Sequence, residues 1–236
     1  MSHLTHCPLI IALDHHDPQE ALQLAKQLNP KQCQLKIGKH LFTRAGHQLI
    51  SALHQLNFRL FLDLKFHDIP NTVATAVHAA AELGVFMVNV HASGGVKMMQ
   101  AAKQALAGFE HPPLLIGVTV LTSQNDEDLK EQGIVRTVAE QVLHLSALAN
   151  RAGLDGVVCS AQEVRSIKAL CGQQFMTVTP GIRPLWASSD DQKRIVTPKQ
   201  ALQDGADYLV VGRPITAADN PLQALERLSQ EISLPL

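Results

Sequence analysis

The chain has 236 residues, 46% of them hydrophobic and 17% charged, which is the composition of a globular protein with a sizeable core and excludes a disordered chain. Twenty basic against twenty-one acidic residues leave a formal charge of -1, so no global field draws it to nucleic acid or to a membrane surface, and any anion site must be built locally. Cys7, Cys33, Cys159 and Cys171 form no C-x-x-C pair, no signal peptide is legible, and no apolar run approaches the roughly 20 residues that span a bilayer, which together point to a soluble protein of a reducing, cytoplasmic compartment.

Short β-rich runs alternate with amphipathic stretches from end to end. The runs cover residues 9–13, 34–37, 60–64, 87–90, 114–120, 156–159, 176–178 and 208–211. A helical pattern follows each. The clearest are 18–28, opened by Asp17 as N-cap with Pro18 at the first position, and 135–152, ended by Gly153. Strands that alternate with helices pair in parallel through right-handed crossovers, and eight units in this length predict a single (β/α)8 barrel over residues 1–236. A doubly wound open sheet is the alternative. It would have to form without a G-x-G-x-x-G turn, because the first run ends Ala12-Leu13-Asp14-His15-His16.

In such barrels chemistry sits at the C-terminal ends of the strands. Polar residues occur there: Asp14, Lys36, Asp63 and Lys65, His91, Thr119 and Thr122, Ser160, Thr179, and Arg213. The third run holds the densest group, Asp63-Leu64-Lys65-Phe66-His67-Asp68. Strand alternation sends Asp63 and Lys65 to one face, and neighbouring strands about 4.8 Å apart bring Lys36 beside them. A structural reading makes Asp63 and Lys65 an ion pair and Asp68 the cap of the next helix. The functional reading makes Lys36, Asp63, Lys65 and Asp68 an alternating cation–anion array in a cleft.

The last two runs end in Thr179-Pro180-Gly181-Ile182-Arg183-Pro184 and Val210-Val211-Gly212-Arg213-Pro214, each setting a glycine beside an arginine. Glycine admits a backbone N–H close to an anion and arginine adds a forked donor, at the two loops where barrels hold phosphate. Either pair alone reads as a surface turn. Residues 185–197 between them lack any period and have the composition of a mobile lid that includes Trp186. Twelve histidines do not make a metal site: His3 and His6 are near-terminal, and adjacent His15 and His16 do not face one centre. His91 reads as a hydrogen-bonding group of the pocket wall, and Cys159 and Cys171 as buried packing residues.

With these motifs in this order, the chain resembles the orotidine 5'-phosphate decarboxylase family over nearly its whole length. The resemblance rests on Ala12-Leu13-Asp14, Leu35-Lys36-Ile37-Gly38, the D-x-K-x-x-D run continued by Ile69-Pro70-Asn71-Thr72, Val90-His91-Ala92-Ser93-Gly94-Gly95, the two glycine–arginine loops, and Asp191-Gln192 with Thr197-Pro198 behind it. It implies conversion of orotidine 5'-phosphate to UMP and CO2 in pyrimidine biosynthesis, without cofactor or metal. It also implies Lys36, Asp63, Lys65 and Asp68 as the catalytic tetrad, with Lys65 the proton donor and Asp68 serving the other subunit of a homodimer. Ile69 and Thr72 are implied to reach across the same interface, Asp14 to bind the ribose hydroxyls, Thr122 or Ser123 the pyrimidine, and Arg183, Gln192, Gly212 and Arg213 the phosphate. Magnesium-dependent keto-gulonate-phosphate decarboxylases and hexulose-phosphate synthases share D-x-K-x-x-D. They pair its first Asp with an acidic second-strand residue, where this chain has Gln34-Leu35-Lys36. A nucleotide-binding regulator without catalysis would have no use for a carboxylate aimed at an anionic ligand.

Overall fold

In the computed structural model, which describes residues 7–187 and 196–232, all eight apolar runs become strands. They are β1 (Leu9–Leu13), β2 (Gln34–Gly38), β3 (Leu60–Phe66), β4 (Met87–His91), β5 (Leu114–Val118), β6 (Gly156–Val158), β7 (Met176–Thr179) and β8 (Tyr208–Val211). Each pairs in parallel with the next, and Leu9↔Leu209 and Ile11↔Val211 join the last to the first, closing the barrel and ruling out the doubly wound sheet. The fifth strand stops two residues short of its predicted end. Thr119 there bonds through its hydroxyl to Val158 O at 2.8 Å instead of continuing the regular run.

The connecting helices are α1 (Pro18–Gln27), α2 (Lys39–Gln55), α3 (Pro70–Glu82), α4 (Gly95–Gln104), α5 (Asp126–Glu131), α6 (Val138–Arg151), α7 (Val164–Cys171), α8 (Pro198–Gln203), α9 (Arg213–Thr216) and α10 (Pro221–Glu231). Helix α1 opens as its sequence predicts: Asp17 accepts from Gln19 N at 2.9 Å and Pro18 takes the first turn, where its missing N–H costs nothing. Helix α6 begins three residues later than predicted. Thr137 and Glu140 form a capping box, with Thr137 N donating to Glu140 Oε2 at 2.9 Å, and this fixes the start more firmly than the apolar residue Val135, which is left in solvent. Among the described residues no helix is long and apolar enough to cross a membrane.

Period-two alternation divides the strand side chains into two apolar sets. Leu9, Ile11, Leu13, Leu35 and Ile37 pack outward with the helices, while Ile10, Ala12, Phe61, Met87, Ile116, Val178, Tyr208 and Val210 form a separate cluster inside the barrel. Register carries the inward parity across Ala12↔Lys36 and Lys36↔Phe61, which sets Lys36 among the inward residues. Burying each large apolar side chain stabilises by about 1.5–3 kcal/mol. The interior can therefore accommodate a few charges, provided they are paired.

Two matching clips hold the opposite, N-terminal rim. Asp155, just ahead of β6, accepts from Leu115 N of β5 at 2.8 Å and from Lys103 Nζ of α4 at 2.7 Å. Asp207, just ahead of β8, accepts from Thr177 N of β7 and from Lys168 Nζ of α7, both at 2.7 Å. Each aspartate lies two residues after a glycine in the left-handed region, Gly153 at φ +80° and Gly205 at φ +99°, where a Cβ would be strained.

Candidate active site

At the C-terminal end of the barrel, Lys36 and Asp63 come from adjacent strands and Lys65 from a distortion of β3. Pairing between β3 and β4 jumps from Leu62↔Val88 to Phe66↔Val90, so β3 uses four steps where β4 uses two. Lys65 sits in this bulge at φ +53°, a conformation costing a non-glycine residue on the order of 1–2 kcal/mol. Its backbone N donates to Asn89 Oδ1 at 2.8 Å, and its ammonium returns to Asp63 Oδ1 at 2.5 Å. Asp63 and Lys65 thus meet as expected, but through a bulge rather than the plain alternation of a regular strand.

Asp63 is the hub. Oδ1 accepts from Lys65 Nζ and from Asn89 Nδ2 at 2.7 Å, and Oδ2 lies 3.2 Å from Lys36 Nζ, which is also 3.6 Å from Asp14 Oδ1. The side chain is only 12% exposed. Burial pushes its pKa up, but the charges of Lys36 and Lys65 and the hydrogen bonds from Lys65 and Asn89 more than offset this and hold the carboxyl below its ordinary value. At 3.2 Å the Lys36–Asp63 attraction is about 5 kcal/mol at an effective dielectric near 20, comparable with the several kcal/mol that burying each ion costs. Asp63 is therefore an anion at neutral pH, gripped from three sides.

Asp68 does not join this array within one chain. It lies in the exposed β3–α3 loop, and its Oδ1 accepts from Ile69 N at 2.6 Å. Nor does it cap the next helix: the N-cap of α3 is Ile69, without a side-chain cap, and Pro70 takes the first turn. The capping reading is thereby corrected. Among the described residues no cation forms an ion pair with Asp68; Ile69 is 67% exposed and Thr72 is also in solvent.

The cleft above the array has two adjoining parts. One, of about 250 Å³, is lined by Lys36, Asp63 and Lys65, by apolar residues such as Val118 and Val178, and by both Thr122 and Ser123. The other, of about 270 Å³, is lined by Asp14, Lys36, Asp63, Arg183, Gly212 and Arg213. Arg183 is buried and Arg213 exposed. A Cβ on Gly212 would lie 3.5 Å from Asp14 Oδ2, so the end of β8 closes directly onto Asp14. The two glycine–arginine loops thus share one pocket with the charged array, as their positions in the sequence predict. Of the lid expected over residues 185–197, residues 188–195, Gln192 among them, lie outside the described residues. The stems on either side are joined, with Arg183 N donating to Val196 O at 3.2 Å.

Two expectations are corrected. His91 lines neither part of the cleft; its ring centroid lies 5.5 Å from that of His67, and burial followed by the nearby His67, Lys39 and Lys65 lowers its pKa. Cys159 is fully buried, but Cys171 is only half-buried. A larger hollow of about 530 Å³, with Arg59 stacked on Phe86, is lined by residues leading into the strands and holds none of the array. Among the described residues no group of three or more His, Cys, Asp or Glu is arranged to hold a metal ion, and the cations against Asp63 are the ammonium groups of Lys36 and Lys65.

Asn89 is the functional neighbour that the sequence reading passed over. Its signal was an amide in the run Met87-Val88-Asn89-Val90, sharing parity with Met87 inside the barrel.

Residues 7–228 match the model of the Orotidine 5'-phosphate decarboxylase / HUMPS family. The chain belongs to this family. It is 61% identical over 225 residues to the orotidine 5'-phosphate decarboxylase of Saccharophagus degradans, covering 95% of this chain and 94% of that one. It is 58% identical to the enzyme of the same name from Pseudoalteromonas translucida, with 95% and 96% covered. The crystal structure of Orotidine 5'-phosphate decarboxylase from Lactobacillus acidophilus superposes with a TM-score of 0.84 at 40% identity, covering 95% of this chain and 98% of the other. The family assignment therefore extends over the barrel, the array and both arginine loops.

Proposed function

We propose that this chain is an orotidine 5'-phosphate decarboxylase that releases CO2 from orotidine 5'-phosphate to give UMP in de novo pyrimidine biosynthesis, without a cofactor. The observation that carries the reading is Asp63, held ionised between two ammonium groups in a cleft whose other part is lined by two arginines. Four cations on the cleft walls, Lys36, Lys65, Arg183 and Arg213, suit a substrate bearing both a carboxylate and a phosphate.

The bond from C6 to the carboxylate breaks, its electron pair stays on C6, and neutral CO2 leaves. That pair lies in the ring plane, where the π-system cannot delocalise it, so its stabilisation falls to fixed charges of the protein. In this reading the Lys65 ammonium faces C6, favours the developing anion and transfers its proton to complete UMP. Asp63 faces the departing carboxylate. Like charges about 4 Å apart repel by roughly 4 kcal/mol at an effective dielectric near 20, and this repulsion is relieved as CO2 departs. Stabilisation of the carbanion by Lys65 is the larger contribution. Lys36 holds Asp63 in place and, with Asp14, receives the ribose hydroxyls; Thr122 or Ser123 contacts the pyrimidine.

Arg183, Gln192, Arg213 and the amide of Gly212 bind the phosphate. A reaction this difficult requires acceleration toward the upper end of the usual ~8–23 kcal/mol range, more than one lysine supplies, and remote phosphate contacts contribute by organising the array. The acting species in this reading is a cytoplasmic homodimer of single-domain barrels, each supplying Asp68, Ile69 and Thr72 to its partner's cleft. The exposure of all three residues supports this.

Purified protein mixed with orotidine 5'-phosphate in the presence of a chelator is expected to form UMP. Absence of conversion overturns the reading, and activity that the chelator abolishes favours the metal-dependent sugar-phosphate branch of the family.

A further inference from the structure

Asn89 is fully buried and bridges two residues of the array, the carboxylate of Asp63 and the backbone of Lys65, through both ends of its amide. Nδ2 donates to Asp63 Oδ1 at 2.7 Å; Oδ1 accepts from Lys65 N at 2.8 Å. The first bond opposes rotation of the Asp63 carboxylate, keeping Oδ1 toward Lys65 and Oδ2 toward Lys36. The second satisfies the backbone N–H of a residue at φ +53°, the conformation that turns the Lys65 side chain back into the cleft. Other side chains of similar size fail. Leucine would leave a buried N–H and a carboxylate lone pair unmatched, and aspartate would set a second anion against Asp63 at hydrogen-bond distance.

We infer that Asn89 is a positioning residue for decarboxylation, fixing the Asp63 carboxylate and the Lys65 backbone in one mutual orientation before substrate enters. The inference rests on the proposed decarboxylase reading. It assigns to a neutral residue, touching neither substrate nor the reacting atoms, the alignment of the proton donor with the carboxylate that faces the leaving group. The charged groups around Asp63 are Lys36 from β2 and Lys65 from β3, with Asp14 beyond Lys36 and His91 two residues along β4. Asn89 adds a donor to this set without adding charge. Misplacement of reacting groups by about 1 Å costs on the order of 10²-fold in rate, which sets the size of the effect.

The test compares Asn89→Ala and Asn89→Ser with wild type on orotidine 5'-phosphate, and repeats Asn89→Ala in an Asp63→Asn background. Folding is checked by circular dichroism and UMP binding by calorimetry. Expected is a fall in kcat of about 10²-fold with a nearly unchanged KM, because the phosphate contacts are remote from the amide. The acid limb of the kcat/KM profile moves to higher pH as Asp63 loses a donor to its ionised form. With Asp63 replaced, the added loss from Asn89→Ala is much smaller. Folded variants that bind UMP and keep the wild-type kcat and acid limb overturn the inference. Failure of both variants to fold assigns Asn89 to the fold alone and overturns it too. A wild-type protein that makes no UMP refutes the decarboxylase reading instead.

Discussion

Lys36 Nζ stands 3.2 Å from Asp63 Oδ2, a cation and an anion from adjacent strands with side chains only 11% and 12% exposed. Removing one partner of such a pair leaves a buried charge short of compensation, at a cost of about 3–5 kcal/mol when no other partner remains. Lys65 does remain, so Lys36→Ala is expected near the lower end, about 3 kcal/mol, measured by urea unfolding. The folded-state pKa of Asp63 is depressed, so its contribution is full above the unfolded value near 3.9 and is lost as pH falls through the folded value. Without Lys36 that depression shrinks, and the acid-unfolding midpoint, followed by circular dichroism, moves to higher pH. An unmoved midpoint contradicts the role given to the pair.

Lys65→Ala is expected to abolish UMP formation while UMP itself still binds, because the residues proposed to hold phosphate and ribose line the other part of the cleft. Single-turnover assays and calorimetry check the two halves of this statement. Substantial residual turnover removes Lys65 from the proton-donor role.

Arg213→Ala is expected to impair turnover of orotidine 5'-phosphate far more than that of orotidine, which lacks the phosphate. Phosphate binding that helps organise the array lowers the barrier for the whole substrate only. Equal losses on the two substrates refute the coupling between the two parts of the cleft.

Asp68 has no cationic partner within its own described chain, although it continues the motif that holds Asp63 and Lys65. If it completes a neighbour's cleft, Asp68→Asn and Lys65→Ala each inactivate alone, yet a mixed dimer contains one cleft in which every residue is wild type. Mixing the two inactive proteins under conditions that exchange subunits is expected to restore activity. Continued inactivity, with exchange verified by native mass spectrometry, places Asp68 outside the neighbouring cleft.

The barrel was legible because its signals are periodic: apolar runs set the strands, and Asp17-Pro18 set the start of α1. The charged array was legible because Lys36, Asp63 and Lys65 are out of place at the ends of apolar strands. Other features were harder to read for physical reasons. The start of α6 depended on two side chains exchanging hydrogen bonds, which overrode the apolar pattern through Val135. The bulge at Lys65 is invisible to a period-two reading, since a register jump belongs to the pairing with β4 rather than to β3 alone. Asn89 escaped because a neutral amide carries no charge to mark it, and its importance lies in partners 24 and 26 residues away in sequence. The structural alternative for Asp68, a helix cap, fails because the loop before α3 places Ile69 at that position.

The clips formed by Asp155 with Lys103 and Asp207 with Lys168 lie within residues 103–207, whereas Lys36, Asp63, Lys65 and Asn89 all fall in the first 89. The clips fasten the barrel's foot; the charged array stands at its other end. Substitutions at the clips are consequently expected to change heat tolerance without touching the cleft, because the clips fasten the N-terminal rim and the cleft opens at the C-terminal end of the barrel.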